Sequence, residues 1–306
     1  MAIIGARPGR LDAVIGGPPC QGFSAAGRRL PHEPKNYLYR PFGTLARNLG
    51  ARLLVMENVP GVRQVNGTRF VHRILTHFRR LGYLSESFLL TATNYGVPQD
   101  RRRLIFIGIA KHLGVLPSCP RPKFAGPSEK RSSLPRPPTV RDVLRHLPRI
   151  GAGGGSDILQ FHGHVVLNHW AMKHSPAVIS KIRRIPPGKG PISYKRLTWG
   201  YAGTLIAGHR ALPVHPRIPR TITVREAARI QTIPDHYRFL GPRSTQPLQV
   251  ADAVPFRLAL VLAEHAHNLV AGSPLWRKSR NRRGRAGVAA GEVIRATVRR
   301  VIQHAA

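Results

Sequence analysis

The sequence predicts an α/β protein: a parallel, doubly wound sheet joined to a smaller, irregular, loop-rich domain. Three observations carry this reading. Short apolar runs at 11–15, 53–56 and 104–109 have the length and bounds of buried strands. Between the last two, Phe70, Val71, Ile74, Leu75, Phe78 and Leu81 recur at helical spacing, and Gly82 follows as a C-cap. From about residue 111 the texture changes, and periodicity stays weak until about 220. Strands alternating with helices favour a parallel sheet, whose ligand sites lie beyond the carboxyl ends of the strands.

The run at 11–15 stops at Gly16-Gly17-Pro18-Pro19, as a strand entering a loop does. The 117–138 stretch is rich in Pro, Ser and basic residues, and 151–155 is nearly all glycine. Thr223-Val224-Arg225-Glu226 has the pattern of a capping box, opening a helix that must end before Pro234. A further helix is expected over 259–270. The tail from 273 is strongly basic and places Ile294, Val298, Val301 and Ile302 on one face of a potential helix. No internal repeat is found.

Lys and Arg total 49 against 13 Asp and Glu, a formal net charge of +36. Such a chain is drawn to polyanions, of which nucleic acid is the commonest. A GC-rich gene would explain the preference for Arg over Lys, but not the shortage of acids. The two cysteines, Cys20 and Cys119, make no disulfide framework and suit a reducing compartment. The first ten residues lack the long apolar core of a signal peptide, and no stretch approaches the roughly 18 apolar residues of a membrane helix. A soluble, cytoplasmic, nucleoid-associated protein is expected.

Three segments carry chemistry. Cys20 follows a strand end on a loop stiffened by two prolines, a position that presents a thiolate; the alternative is a small buried cysteine. Glu57, with Asn58, ends a second strand on the same sheet edge. Its carboxylate either caps a neighbouring helix or moves a proton. Gln99-Asp100-Arg101-Arg102-Arg103 precedes the third strand, and alternation in an extended segment puts Arg101 and Arg103 on one side. Three arginines in a row also suit a solvated face. Beside a thiol and a carboxylate, two guanidiniums suit an electron-rich base and its phosphates.

These blocks, in this order, resemble the DNA cytosine-5 methyltransferase family. Pro18-Pro19-Cys20-Gln21-Gly22-Phe23-Ser24 resembles the family's catalytic loop, Glu57-Asn58-Val59 its Glu-Asn-Val motif, and Gln99-x-Arg101-x-Arg103 its Gln-x-Arg-x-Arg motif. The block from Arg220 to Asp235 resembles the one closing the target-recognition region. Gln249-Val250-Ala251-Asp252-Ala253-Val254-Pro255 resembles the C-terminal block that returns to the cofactor domain, and Glu33-Pro34-Lys35-Asn36-Tyr37-Leu38 is a looser match. The resemblance covers roughly 11–270. It implies a partial Rossmann-like methyltransferase sheet, double-stranded DNA as partner and S-adenosylmethionine as methyl donor. It further implies Cys20 as nucleophile at carbon 6 of a flipped-out cytosine, Glu57 at ring nitrogen 3, Asn58 fixing the loop, and Arg101 and Arg103 near the base oxygen and adduct, with Gln99 in the same motif. Gly22, Gly27, Arg28 and Arg29 resemble the mobile loop that closes over DNA. Pro19, Leu38, Asp252 and Ala253 are the cofactor-site positions that match, and no metal is implied.

The pattern breaks in two places. Only about ten residues precede the strand leading to Cys20, and Gly5-Ala6-Arg7-Pro8-Gly9 is not the family's Phe-x-Gly-x-Gly loop. The first strands of the usual sheet are therefore not matched, which would leave 11–15 as an unprotected apolar edge. Asp252 also stands where the family has Asn, removing a donor and adding charge. Three readings stay open: an active methyltransferase of the restriction-modification type, an inactive DNA-binding remnant, and one subunit of a split enzyme completed by an N-terminal polypeptide. The expected organisation is a catalytic domain at 1–110, target recognition at 111–219, a closing motif and return segment at 220–272 and a basic tail at 273–306. His162, His164, His169 and His174 in the recognition domain are read as DNA-facing or solvated in preference to a metal set.

Overall fold

A computed structural model describes residues 11–19, 33–63, 70–129, 131–191, 194–206, 212–271 and 273. These fall into two compact units. The first comprises the described residues up to 90, then 102–121 and those from 262; the second comprises 91–101 and 122–261.

In the first unit, β1 (Ala13–Gly16) is followed by α1 (Tyr39–Asn48), β2 (Leu53–Asn58), α2 (Phe70–Arg80) and β3 (Tyr83–Thr91). After the two-residue β4 (Gln99–Asp100), which belongs to the second unit, comes β5 (Arg102–Ala110), and the sheet order in the first unit is β1-β2-β5-β3. β1 and β2 are parallel, with Gly16 opposite Met56. β2 and β5 are antiparallel, with Glu57 opposite Ile105 and Asn58 opposite Leu104.

The sheet is thus mixed, correcting the expectation of a parallel one. Successive parallel strands need a crossover of a dozen or more residues, usually through a helix. Only 92–101, beginning with a 3-10 turn at Ala92–Tyr95, separates β3 from β5, so β5 lies beside β3 with no helical crossover. Strand-like apolar runs do not encode direction; the length of the connection does.

Burial explains the strands and helix read from sequence. Leu53 to Met56 and Leu104 to Ile107 are all buried, as central strands require. On α2, Phe70, Ile74, Leu75 and Phe78 form one buried stripe, each contributing about 1.5–3 kcal/mol of transfer free energy. Gly82, at φ 93, turns the chain out of the helix. β1 sits at the sheet edge, and Ile15 on it is 65% exposed.

The second unit contains α3 (Val140–Leu144), the hairpin of β6 (Gly155–Phe161) and β7 (His164–Trp170), α4 (Pro176–Arg183), β8 (Ala202–Gly203), α5 (Val224–Ile230) and α6 (Gln246–Asp252). α7 (Phe256–Ala271) begins in this unit and ends in the first. Its core gathers Val140, Leu144, Leu205, Ile222, Val224, Ala227, Ile230, Phe239 and Val250. The capping box forms: Glu226 N donates to Thr223 Oγ1 at 3.1 Å and Thr223 N donates to Glu226 Oε2 at 2.8 Å. No helix among the described residues is long and apolar enough to cross a membrane.

Candidate active site

Parallel pairing of β1 and β2 brings their carboxyl ends side by side, so the loops that follow leave from one edge. Both glycines of the first loop sit where a side chain would be tight. A Cβ on Gly16 would stand 2.9 Å from Phe42 Cε2 on α1, and one on Gly17 would stand 3.2 Å from Glu57 Oε2. The backbone leading to Cys20 therefore runs directly against the carboxylate that ends β2.

That carboxylate is held from its other side. Arg103, the second residue of β5, brings Nε to 2.6 Å from Glu57 Oε1, and both side chains are mostly buried. Arg103 Nη1 also donates to the Arg102 carbonyl at 2.7 Å, limiting its swing. Asn58 is buried, and its Oδ1 accepts from Val59 N at 2.8 Å. This local bond turns the chain out of β2 into the 3-10 turn Pro60–Arg63. Among the sequence-selected residues, Glu57, Asn58 and Arg103 are thus brought together. Pro19 is exposed and Leu38 is half-buried ahead of α1. Cys20, Gly22, Gly27, Arg28, Arg29 and the basic tail beyond Ser273 lie outside the described residues.

Gln99 and Arg101 belong to the second unit and have partners there. Gln99 is fully buried; its Nε2 donates to Gln231 Oε1 at 3.0 Å and its Oε1 accepts from Leu205 N at 3.2 Å. Gln231 Nε2 in turn donates to the carbonyls of Val250, at 2.9 Å, and Ala253, at 3.2 Å. Arg101 Nη1 donates to the Ala251 carbonyl at 3.0 Å. Residues 99, 101 and 103 are buried while 100 and 102 are exposed, the alternation expected of an extended segment. Asp252 is exposed and Ala253 half-buried at the end of α6, a segment whose backbone these two ties fix.

Sequence reasoning missed a buried polar cluster behind α5. Arg220 Nη1 and Nη2 donate to Glu226 Oε2 and Oε1, both at 2.8 Å, and its Nε donates to the Ile150 carbonyl. Burial alone would raise the Glu226 carboxyl, but the Arg220 fork and its charge outweigh it and hold the group at about 2. His215 Nε2 lies 3.8 Å from Glu226 Oε1, and burial pushes this imidazole down to about 4 against the pull of that carboxylate. The signal was available: Arg220 lies six residues before Glu226, the acidic member of the capping box. The histidine reading needs correction at His169. It is buried, with one ring nitrogen 2.9 Å from Thr223 Oγ1 and the other 2.9 Å from the Pro148 carbonyl, so it is a structural group. His174 lies against Thr221, whereas His162 and His164 are exposed at the hairpin tip. Among the described residues no group of three or more His, Cys, Asp or Glu is placed to hold a metal ion.

Comparison with known proteins places the chain among DNA methyltransferases. Residues 6–268 match the sequence profile of C-5 cytosine-specific DNA methylase. The type II methyltransferase M1.HphI of Haemophilus parahaemolyticus is 35% identical over 83% of this chain and 68% of its own. M.DdeI of Desulfomicrobium norvegicum is 29% identical, over 83% and 72%. Among solved structures, a prophage-encoded DNA modification methyltransferase from E. coli superposes with a TM-score of 0.68 at 26% identity, covering 85% of this chain and 79% of that one.

Proposed function

Because the chain belongs to the C-5 cytosine-specific DNA methylase family, whose members take the methyl group from S-adenosylmethionine, we propose that Cys20 and Glu57 activate a flipped-out cytosine of duplex DNA. Carbon 6 of cytosine is a poor electrophile. The Cys20 thiolate adds there while Glu57 hydrogen-bonds or protonates nitrogen 3, so the incoming charge does not accumulate on the ring. Carbon 5 is then nucleophilic enough to be methylated. Loss of the carbon 5 proton and of the thiolate restores the aromatic ring and frees the enzyme. Arg103 holds the Glu57 carboxylate, and Asn58 fixes the loop behind it. Gln99 and Arg101 position the segment around Ala251 and Ala253.

The observation that supports this most directly is the ion pair of Glu57 with Arg103, at 2.6 Å, beside Gly17, three residues before Cys20, where a Cβ would stand 3.2 Å from the same carboxylate. The test is transfer of label from S-adenosylmethionine to mixed-sequence duplex by the purified chain, with Cys20→Ser alongside. Transfer lost in the variant supports the nucleophile; transfer that survives it overturns the assignment.

Pro19, Leu38, Asp252 and Ala253 are the positions assigned to the donor. Among the described strands β1 is the outer one of its sheet, and Ile15 on it is 65% exposed. The open edge favours a second reading, in which a complementary polypeptide adds strands beside β1. A chain inactive alone that gains transfer when such a polypeptide is supplied would support this reading. A chain that binds DNA and stays inactive under both conditions would be a remnant.

A further inference from the structure

The second unit carries a cavity that the chemistry above does not use. Its volume is about 650 Å³, inside the roughly 300–1,000 Å³ range of sites that enclose small ligands. One wall is the turn after α3, with Arg145 and His146. A second is the β6–β7 tip, with Phe161, His162 and His164. Arg229 closes the third. Leu147 and Val166, both buried, give the cavity an apolar floor.

The lining is prepared for a planar, anionic ligand. The Phe161 and His162 rings meet edge to face with centroids 4.2 Å apart, forming an aromatic corner. His162 achieves this at φ 48, followed by Gly163 at φ 76, the left-handed pair that a tight two-residue hairpin turn demands. Arg145 Nε donates to His146 Nε2 at 2.8 Å, which orients the guanidinium without using its terminal amino groups. The one carboxylate in the wall, Asp235, is offset by two arginines: Arg229 at 2.6 Å and Arg225 at 3.6 Å. Cations and rings around an apolar floor suit a nucleotide, with the rings stacking on its base and the cations facing its phosphate.

We propose that this cavity takes one nucleotide of the DNA duplex other than the target cytosine and its pairing guanine, drawn out of the stack. The inference rests on the reading of duplex DNA as substrate. A base inside a stacked duplex cannot enter a cavity, so occupancy requires local unstacking. Phe161 supplies the stacking surface, and Arg145 and His164 supply donors to base and phosphate. The site then contributes to the choice of target sequence through which nucleotide is easiest to extrude and fits best.

The experiment uses the full chain and duplexes selected from a random pool for tight binding. 2-Aminopurine, which brightens when unstacked, is placed at successive positions of the selected site, and overall affinity is measured in parallel. A several-fold rise is expected at one position away from the target pair. Phe161→Leu, which keeps an apolar side chain but removes the ring, and Arg145→Gln, at an exposed position, should each abolish that rise while changing overall affinity less than tenfold. No rise away from the target pair, or a rise that persists in Arg145→Gln, overturns the proposal while leaving duplex binding intact. A wild-type chain that binds no duplex removes the substrate reading, and this proposal with it.

Discussion

Acid should unfasten the second unit through His215. In the folded chain this imidazole is pushed down to about 4, while its ordinary value is 6.5. Between those two pH values the unfolded chain binds a proton that the folded one refuses, so stability falls as pH falls through that window and is fully present above about 6.5. The difference of about 2.5 pH units corresponds to about 3 kcal/mol at about 1.4 kcal/mol per unit. His215 is buried, so solvent screening does not reduce this much. Glu226 acts in the same direction at lower pH: its carboxyl, held at about 2 against an ordinary 4.5, adds a further loss below about 4.5. The perturbation that isolates the histidine is His215→Asn. His215 Nδ1 accepts from Arg217 N at 3.1 Å and Ile218 N at 2.9 Å, and an asparagine oxygen can accept both bonds without titrating. Trp199, edge-on to His215 with centroids 5.6 Å apart, provides the fluorescence signal for urea unfolding. Wild type should lose about 3 kcal/mol more than His215→Asn between pH 7 and pH 4. Parallel pH profiles for the two proteins would refute the argument, and would move the acid sensitivity to His169, whose imidazole is also lowered by burial.

Other expectations follow from single contacts. Arg103→Ala, which releases the Glu57 carboxylate, should lower methyl transfer about 100-fold or more with little change in DNA affinity, read from single-turnover assays beside filter binding. Gly17→Ala should slow transfer about tenfold or more, because its Cβ would sit 3.2 Å from Glu57 Oε2, and should barely shift the melting temperature. His162→Asn should raise stability by about 0.5–1 kcal/mol, since Asn tolerates the left-handed region better than His. The same substitution should weaken the 2-aminopurine signal, a combination that a purely structural role for His162 would not produce.

The sequence made the strand–helix alternation of the first unit legible because burial there is local: the runs at 53–56 and 104–109 lie inside β2 and β5, and the run at 11–15 overlaps β1. The capping box at Thr223 was equally visible, since its two hydrogen bonds span only three residues. Strand direction was not visible, because it follows from the short link between β3 and β5 and from no residue pattern. The β6–β7 hairpin was overlooked for a different reason. His162-Gly163 is a workable two-residue turn between β-prone runs, but the glycines just before it read as loop. At the candidate site, motif order picked out Glu57 and its partner Arg103, but not the partners of Gln99 and Arg101. Gln231 lies 132 residues from Gln99 and Ala251 lies 150 from Arg101, separations over which no periodicity speaks.

The scarcity of acids explains more than affinity for DNA. With 13 carboxylates among 49 basic side chains, an acid placed at random would be expected on the surface, softening the charge. Two instead sit mostly buried against arginines where they do structural or chemical work, Glu57 with Arg103 at the end of β2 and Glu226 with Arg220 behind α5, and the exposed Asp235 is paired with Arg229 beside the cavity. Each such pair neutralises one cation and leaves the excess of positive charge where it was. The remaining arginines then have few carboxylates to answer them, and like-charge repulsion disfavours the compact state until a polyanion binds. Binding duplex DNA therefore does two things at once: it releases counterions, which makes affinity fall steeply with salt, and it relieves the repulsion within the protein. On this reasoning the melting temperature of the free chain should rise with salt while DNA affinity falls. A free chain whose stability is indifferent to salt would mean that its unpaired cations lie too far apart to repel one another.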